Sequence, residues 1–143
     1  MDDPGLIAPV IALVCWTLVV MVWLGFERVA NIRRLRLSPD AGKSARELDA
    51  LMPDRARQVS ANYMHLMEQP TVFYAVCLSL HFLGYGADPV NLGLAWGYVG
   101  LRVLHSLVHT TFNDVRLRFA LFLASGAALI ALTVRAALGM LGL

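Results

Sequence analysis

From Leu6 to Phe26 the chain runs 21 residues without a single charge. An α-helix rises about 1.5 Å per residue, so a run of this length roughly matches a hydrocarbon core of about 30 Å. The segment is read as a membrane-spanning helix. It lacks the basic leader and small-residue cleavage site of a secretory signal, because the chain opens Met1-Asp2-Asp3-Pro4, and it is expected to be retained. Three more apolar stretches follow, giving expected spans at residues 6–26, 61–86, 90–111 and 119–141 and a polar connection at 27–60. Arg102, His105 and His109 interrupt the third span and Arg135 the fourth.

Composition agrees with that reading. Of the 143 residues, 58% are hydrophobic and only 15% charged, with a mean hydropathy of +0.62. Ordinary soluble domains carry about 25% charged residues. Two cysteines cannot make a disulfide scaffold, and a net charge of +2 does not describe a nucleic-acid-binding arm, so no nucleic-acid partner is expected. The apolar runs are continuous rather than alternating and far exceed a barrel strand of about ten residues. The expected fold is an all-α membrane bundle of four spans in one domain covering residues 1–143.

Charge placement gives orientation. Eight of the twelve basic residues (Arg28, Arg33, Arg34, Arg36, Lys43, Arg46, Arg55 and Arg57) fall between spans one and two, and Arg116 and Arg118 fall between spans three and four. The connection at Gly86-Ala87-Asp88-Pro89 has none. By the positive-inside rule the first and third connections face the cytoplasm and both termini face the other side. Arg135, near the outer end, is expected to snorkel. Ser38-Pro39-Asp40 and Ala41-Gly42 read as turns, and after Pro53 a helix is expected to start in the cytoplasm and continue into the second span.

Ionisable groups inside spans cost about 2.5 to 3.5 kcal/mol each on insertion scales, so each needs a partner or a wet cavity. His65 and Glu68 are spaced i, i+3 on a face shared with Asn62, and Tyr98, Arg102, His105 and His109 follow one another at 4, 3 and 4 residues, a single helical stripe. The second helix carries its polar residues at its start and the third at its end, so both sets occupy the cytoplasmic half. Adjacent helices, of one subunit or of neighbours, are thereby expected to bring Glu68 toward Arg102 and gather the three histidines. The plainer reading makes Glu68 and Arg102 a structural ion pair. A four-ligand metal set of His65, Glu68, His105 and His109 is chemically conceivable but opposed by the nearby arginine, and no metal is expected.

Other polar or unusual residues have quieter readings. His81 is taken as packed or snorkelling, Tyr63 and Tyr85 as interfacial aromatics, and Cys15 and Cys77 as inert thiols. Pro70 marks a kink. Gly93-x-x-x-Gly97 with Gly100, and the alanines at 124, 127, 128 and 131, permit close helix approach and suggest oligomers.

Two patterns carry a family resemblance. His65-Leu66-Met67-Glu68-Gln69-Pro70-Thr71-Val72-Phe73-Tyr74 resembles the Asn-x-x-Glu and following proline of the membrane-associated proteins in eicosanoid and glutathione metabolism, the MAPEG family. Tyr98-x-x-x-Arg102-x-x-His105-x-x-x-His109 with Arg116 beyond it is similar to that family's Arg-x-x-Tyr/His-x-x-x-Tyr and its arginine seven residues on. The resemblance implies a homotrimer of four-span subunits in a bacterial inner membrane, holding glutathione as cosubstrate between subunits near the cytoplasmic face. It implies that Glu68 binds the glutathione amino group, that Arg102 anchors a carboxylate, and that His65, His105 and His109 contact the tripeptide. Arg116 would be the catalytic arginine that stabilises the thiolate. His65 replaces the family's Asn, and His105 and His109 occupy its two aromatic positions. Hydrophobic small molecules or lipids would be the second substrates, making the chain a transferase or peroxidase. The competing readings are a non-catalytic scaffold locked by buried polar residues and a His/Glu metal enzyme.

Overall fold

The computed structural model describes residues 4–38 and 40–142. Met1, Asp2, Asp3, Leu143 and Pro39, the last of them expected in a turn, lie outside the described residues. Five α-helices account for the architecture, and no strand occurs among the described residues: α1 Ile7–Arg34, α2 Ala45–Leu51, α3 Asp54–Leu80, α4 Pro89–Thr110 and α5 Val115–Met140. Four of them are long, and the short α2 sits in the connection between the first two.

Local sequence explains the boundaries. α1 continues past Phe26 to Arg34, where Arg33 and Arg34 fall in the last turn and complement the negative end of the helix dipole. The polar connection at 27–60 is in large part helical: α1 occupies its beginning, α2 forms within it, and α3 starts at Asp54. Ser44 caps α2, its hydroxyl accepting from the Glu47 backbone N–H at 3.2 Å. Ser44-Ala45-Arg46-Glu47 is a capping-box sequence. α3 starts directly after Pro53 and passes through Pro70 without ending. It then widens into a π turn at His81–Tyr85, closed by Gly84 at φ 87°. Asp88 caps α4 by accepting from the Asn91 N–H at 2.9 Å, and Asp114 caps α5 by accepting from the Leu117 N–H at 2.9 Å. Arg116 and Arg118, which fall between the expected third and fourth spans, therefore lie in the first turn of a helix.

The long helices pack around Leu13 and Val20 of α1, Phe73 and Cys77 of α3, Tyr98 of α4 and Leu132 of α5, with the Phe73 and Tyr98 rings stacked at 4.3 Å. Large apolar side chains also cover the outside, including Val19, Val22 and Phe26 on α1 and Phe119, Ile130 and Val134 on α5. Asn62, Asn91, Arg102, Ser106 and His109 are buried. Apolar surface outside and polar groups inside suit a lipid environment. α1 and α5 are each long and apolar enough to cross a membrane. α3 and α4 have the length, but their polar residues interrupt the apolar run.

At the end of the bundle where α4 begins, Arg135 is not a lone snorkelling cation. It pairs with Asp88 at 2.9 Å and its Nε donates to the Asn91 side-chain oxygen. Asn91 in turn donates to the Tyr85 carbonyl at 3.1 Å. The hydrogen bond from the Asn91 backbone holds the Asp88 carboxyl below its ordinary range; lost hydration opposes this, and Arg135 adds to the lowering. The folded carboxyl thus gives up its proton at lower pH than the unfolded one. Its stabilisation is complete above the unfolded value and fades as pH falls through the folded value. The melting temperature is expected to fall on acidification below about pH 4, and Asp88→Asn is expected to flatten that limb. Parallel acid limbs in the two proteins would contradict the assignment.

Candidate functional site

The opposite end of the bundle, where α4 finishes and α5 begins, collects the remaining polar residues. The 4, 3, 4 spacing on α4 puts Tyr98, Arg102, His105 and His109 on one buried face, at 0%, 2%, 5% and 3% exposure. From α3, His65 reaches the same place. The three imidazoles pack against one another, with ring centroids 6.0 Å apart for His65 and His105, 5.6 Å for His65 and His109, and 5.8 Å for His105 and His109.

A cavity of about 270 Å³ opens beside them, lined by His65, His105, Val115, Arg118, Phe119 and Phe122. Its position follows from the α4–α5 turn. Asn113 adopts φ 51°, a left-handed conformation that asparagine tolerates better than most residues, and its N–H closes on the Val108 carbonyl at 2.8 Å. Asp114 then starts α5 so that residues 115, 118, 119 and 122 share one face. Arg118 donates from Nη1 to the Asn113 side-chain oxygen at 2.5 Å, while its Nε is buried without a hydrogen-bond partner.

Within the single chain Arg116 lies apart from these residues. It is exposed, outside the cavity, and paired with nothing among the described residues. Two residues along a helix turn about 200°, so Arg116 and Arg118 cannot face α4 together. The pocket receives Arg118. The sequence did contain the signal, since Val115, Arg118, Phe119 and Phe122 follow the i, i+3, i+4, i+7 pattern of one helix face.

Glu68 and Arg102 do not meet within the chain. Glu68 lies on the outer face of α3, its side chain 64% exposed, with the His65 imidazole 3.4 Å away. Arg102 is sealed inside: Nε donates to the Tyr98 hydroxyl at 3.3 Å, and the guanidinium lies 5.6 Å from the Tyr98 ring centroid and 5.7 Å from that of Phe122. No carboxylate pairs with it among the described residues. Phe122 also lines the cavity, so Arg102 sits behind the cavity wall. Both Arg102 and Arg118 lie within electrostatic reach of His105.

Several polar atoms nearby are buried and unpartnered: His109 Nδ1, the Ser106 hydroxyl, the Gln69 side-chain oxygen and both amide atoms of Asn62. Orphaned buried polar groups are costly and uncommon in folded proteins. None of these residues lines the cavity, whose own lining sets Arg118 and two histidines against an apolar wall of Val115, Phe119 and Phe122. Such an arrangement suits an anion with an apolar substituent. Among the described residues no group of three or more His, Cys, Asp or Glu side chains is arranged to hold a metal ion.

The model of the MAPEG family matches residues 6–138 of the chain. No curated protein and no solved structure matches it.

Proposed function

Because the chain belongs to the MAPEG family of membrane proteins, we propose that it is a glutathione-dependent transferase or peroxidase of hydrophobic electrophiles, built from four membrane spans and working as a homotrimer. The observation that carries this reading is Arg118, which lines a cavity with two histidines and an apolar wall and whose Nε is buried without a hydrogen-bond partner. The family includes glutathione transferases. A free thiol with a pKa of about 8.5 is mostly protonated at neutral pH, and a fixed guanidinium beside it shifts it toward the nucleophilic thiolate. In this reading Arg118 takes the role that the resemblance gave to Arg116.

His105 and His109 stand in for the family's phenols, since an imidazole N–H donates as a hydroxyl does. Arg102, buried behind the wall without a counter-ion, supplies a field that favours a bound carboxylate. Glu68, oriented by His65, takes the ammonium group. Val115, Phe119 and Phe122 form the side from which an apolar electrophile enters out of the bilayer. The glutathione sulfur then bonds to the electrophilic carbon, and the leaving group departs with the bonding pair.

The positive-inside rule puts the pocket end of the bundle at the cytoplasmic side, where a soluble thiol is at hand, and both termini opposite. The trimer rests on two exposures. Glu68 lies outside a single chain, and Gly93, Gly97 and Gly100 are exposed, with nothing within 4 Å of a Cβ built at any of them. A carboxylate and a small-residue stripe at lipid depth both call for a neighbouring helix. Light scattering of the protein in detergent is expected to give three copies. Glu68→Gln is expected to weaken glutathione binding about ten- to a hundredfold, the loss of one charge-assisted hydrogen bond. Monomeric protein whose glutathione affinity is indifferent to Glu68→Gln would overturn the reading.

A further inference from the structure

A second cavity, of about 500 Å³, lies between α1, α2 and α3 on a different part of the surface from the histidine pocket. Leu24 and Met64 form its apolar floor and Arg28 and Arg46 its basic side. Arg28 lies one helical turn beyond Leu24, a rise of about 6 Å, so the cavity passes from apolar to charged lining over a short distance along α1. An acidic residue, Asp49, also lines it and pairs with Arg28, so Arg46 supplies the net positive charge of the lining. The Asp49 carboxylate accepts from Arg28 Nη2 at 3.1 Å and from the Ser60 hydroxyl at 2.6 Å. Arg28 Nη2 also donates to the Ser60 hydroxyl at 3.2 Å, and its Nε is buried without a hydrogen-bond partner.

The surroundings carry the same sign. Arg33, Arg34, Arg36, Lys43 and Arg46 are exposed and make no ion pair among the described residues. The only unpaired acids on the same stretch are Asp40 and Glu47 among the described residues. Glu47 lies in the first turn of α2, where a carboxylate complements the helix dipole. Clusters of four to eight basic residues next to a membrane helix attract acidic lipid. The surface would supply that attraction, and the cavity a seat for a single molecule.

We propose that this cavity binds an anionic phospholipid, its headgroup phosphate between Arg28 and Arg46 and the start of an acyl chain over Leu24 and Met64. The inference rests on the reading of α1 as a membrane span, which places the basic end of the helix at headgroup depth. α2, tied to α1 and α3 through Asp49, Arg28 and Ser60, then forms one wall of a lipid seat. The lipid would hold the connection between α1 and α3 against the bilayer without touching the histidine pocket.

The test is native mass spectrometry of the full-length protein released from micelles doped with phosphatidylglycerol or with phosphatidylcholine of the same chains. Arg28 also ties α1 to α2, so the diagnostic variant is the exposed Arg46→Gln, with Arg36→Gln as an equal loss of charge outside the cavity. One phosphatidylglycerol per subunit is expected to be retained, and Arg46→Gln is expected to cut that retention about fivefold against less than about twofold for Arg36→Gln. Equal retention of the two lipids, equal losses in the two variants, or displacement by inorganic phosphate would each overturn the proposal. Resistance of the protein to alkaline extraction from membranes checks the span reading separately. An extractable protein fails both, whereas an integral one without lipid preference fails only this inference.

Discussion

Arg118→Ala is expected to lower kcat/KM for glutathione conjugation by about two to three orders of magnitude, with Arg116→Ala within about twofold of the parent. The two residues are two positions apart, equal in charge and both at the start of α5. They differ in what they face: Arg118 lines the cavity beside His65 and His105, and Arg116 is exposed outside it. A preorganised cation in a partly enclosed site stabilises developing or resident negative charge far more than one in open water. The loss should appear mainly as a smaller thiolate fraction at neutral pH, and raising the pH should recover part of the rate in Arg118→Ala. If Arg116→Ala were the damaging change, the active arginine would be reaching a site completed by a neighbouring subunit, and the assignment made from the single chain would be wrong.

Arg102→Met is expected to do two opposite things. Arg102 is 2% exposed, its Nε bonded only to the Tyr98 hydroxyl, and no carboxylate accompanies it among the described residues. A buried cation without a counter-ion lowers the stability of the ligand-free protein, and replacing buried ionic groups with apolar side chains of similar volume is often neutral or stabilising by about 1 to 4 kcal/mol. Methionine is flexible enough to fill the space between Tyr98 and Phe122. The ligand-free melting temperature should therefore hold or rise by a few degrees. Glutathione affinity should drop by about two orders of magnitude, because the anion loses the charge arranged for it. A scaffold whose polar residues lock the assembly would show the reverse: a large loss of stability, and no ligand effect to lose.

The all-helical class was legible because uncharged runs of spanning length admit few alternatives in lipid, and the stripe on α4 because 4, 3, 4 spacing is a property of the helix itself. What escaped was finer. α2 is short enough that its apolar pattern is weak, and only the capping box Ser44-x-x-Glu47 announced it. Arg135 looked solitary because its partners, Asp88 and Asn91, are more than forty residues away in sequence and meet it only through α4–α5 packing. Arg116 was chosen over Arg118 by analogy of spacing. The choice depended on where α5 starts, and that is set by the asparagine turn at Asn113 and the cap at Asp114. Had α5 been started at Asp114 from those two residues, helical phase alone would have turned Arg118 toward the histidines. The separation of Glu68 from Arg102 was not accessible from the spacing, which fixes depth along two helices but not the rotation of each about its axis.

The central claim is that the histidine and arginine cavity binds glutathione as its thiolate. Ultraviolet difference spectroscopy of the purified protein in detergent at neutral pH, titrated with glutathione into the millimolar range, tests it most directly. Saturable thiolate absorbance, about one thiolate or fewer per subunit and abolished by Arg118→Ala, is the expected result. A flat spectrum across that range, or absorbance that Arg118→Ala leaves intact, would contradict the account.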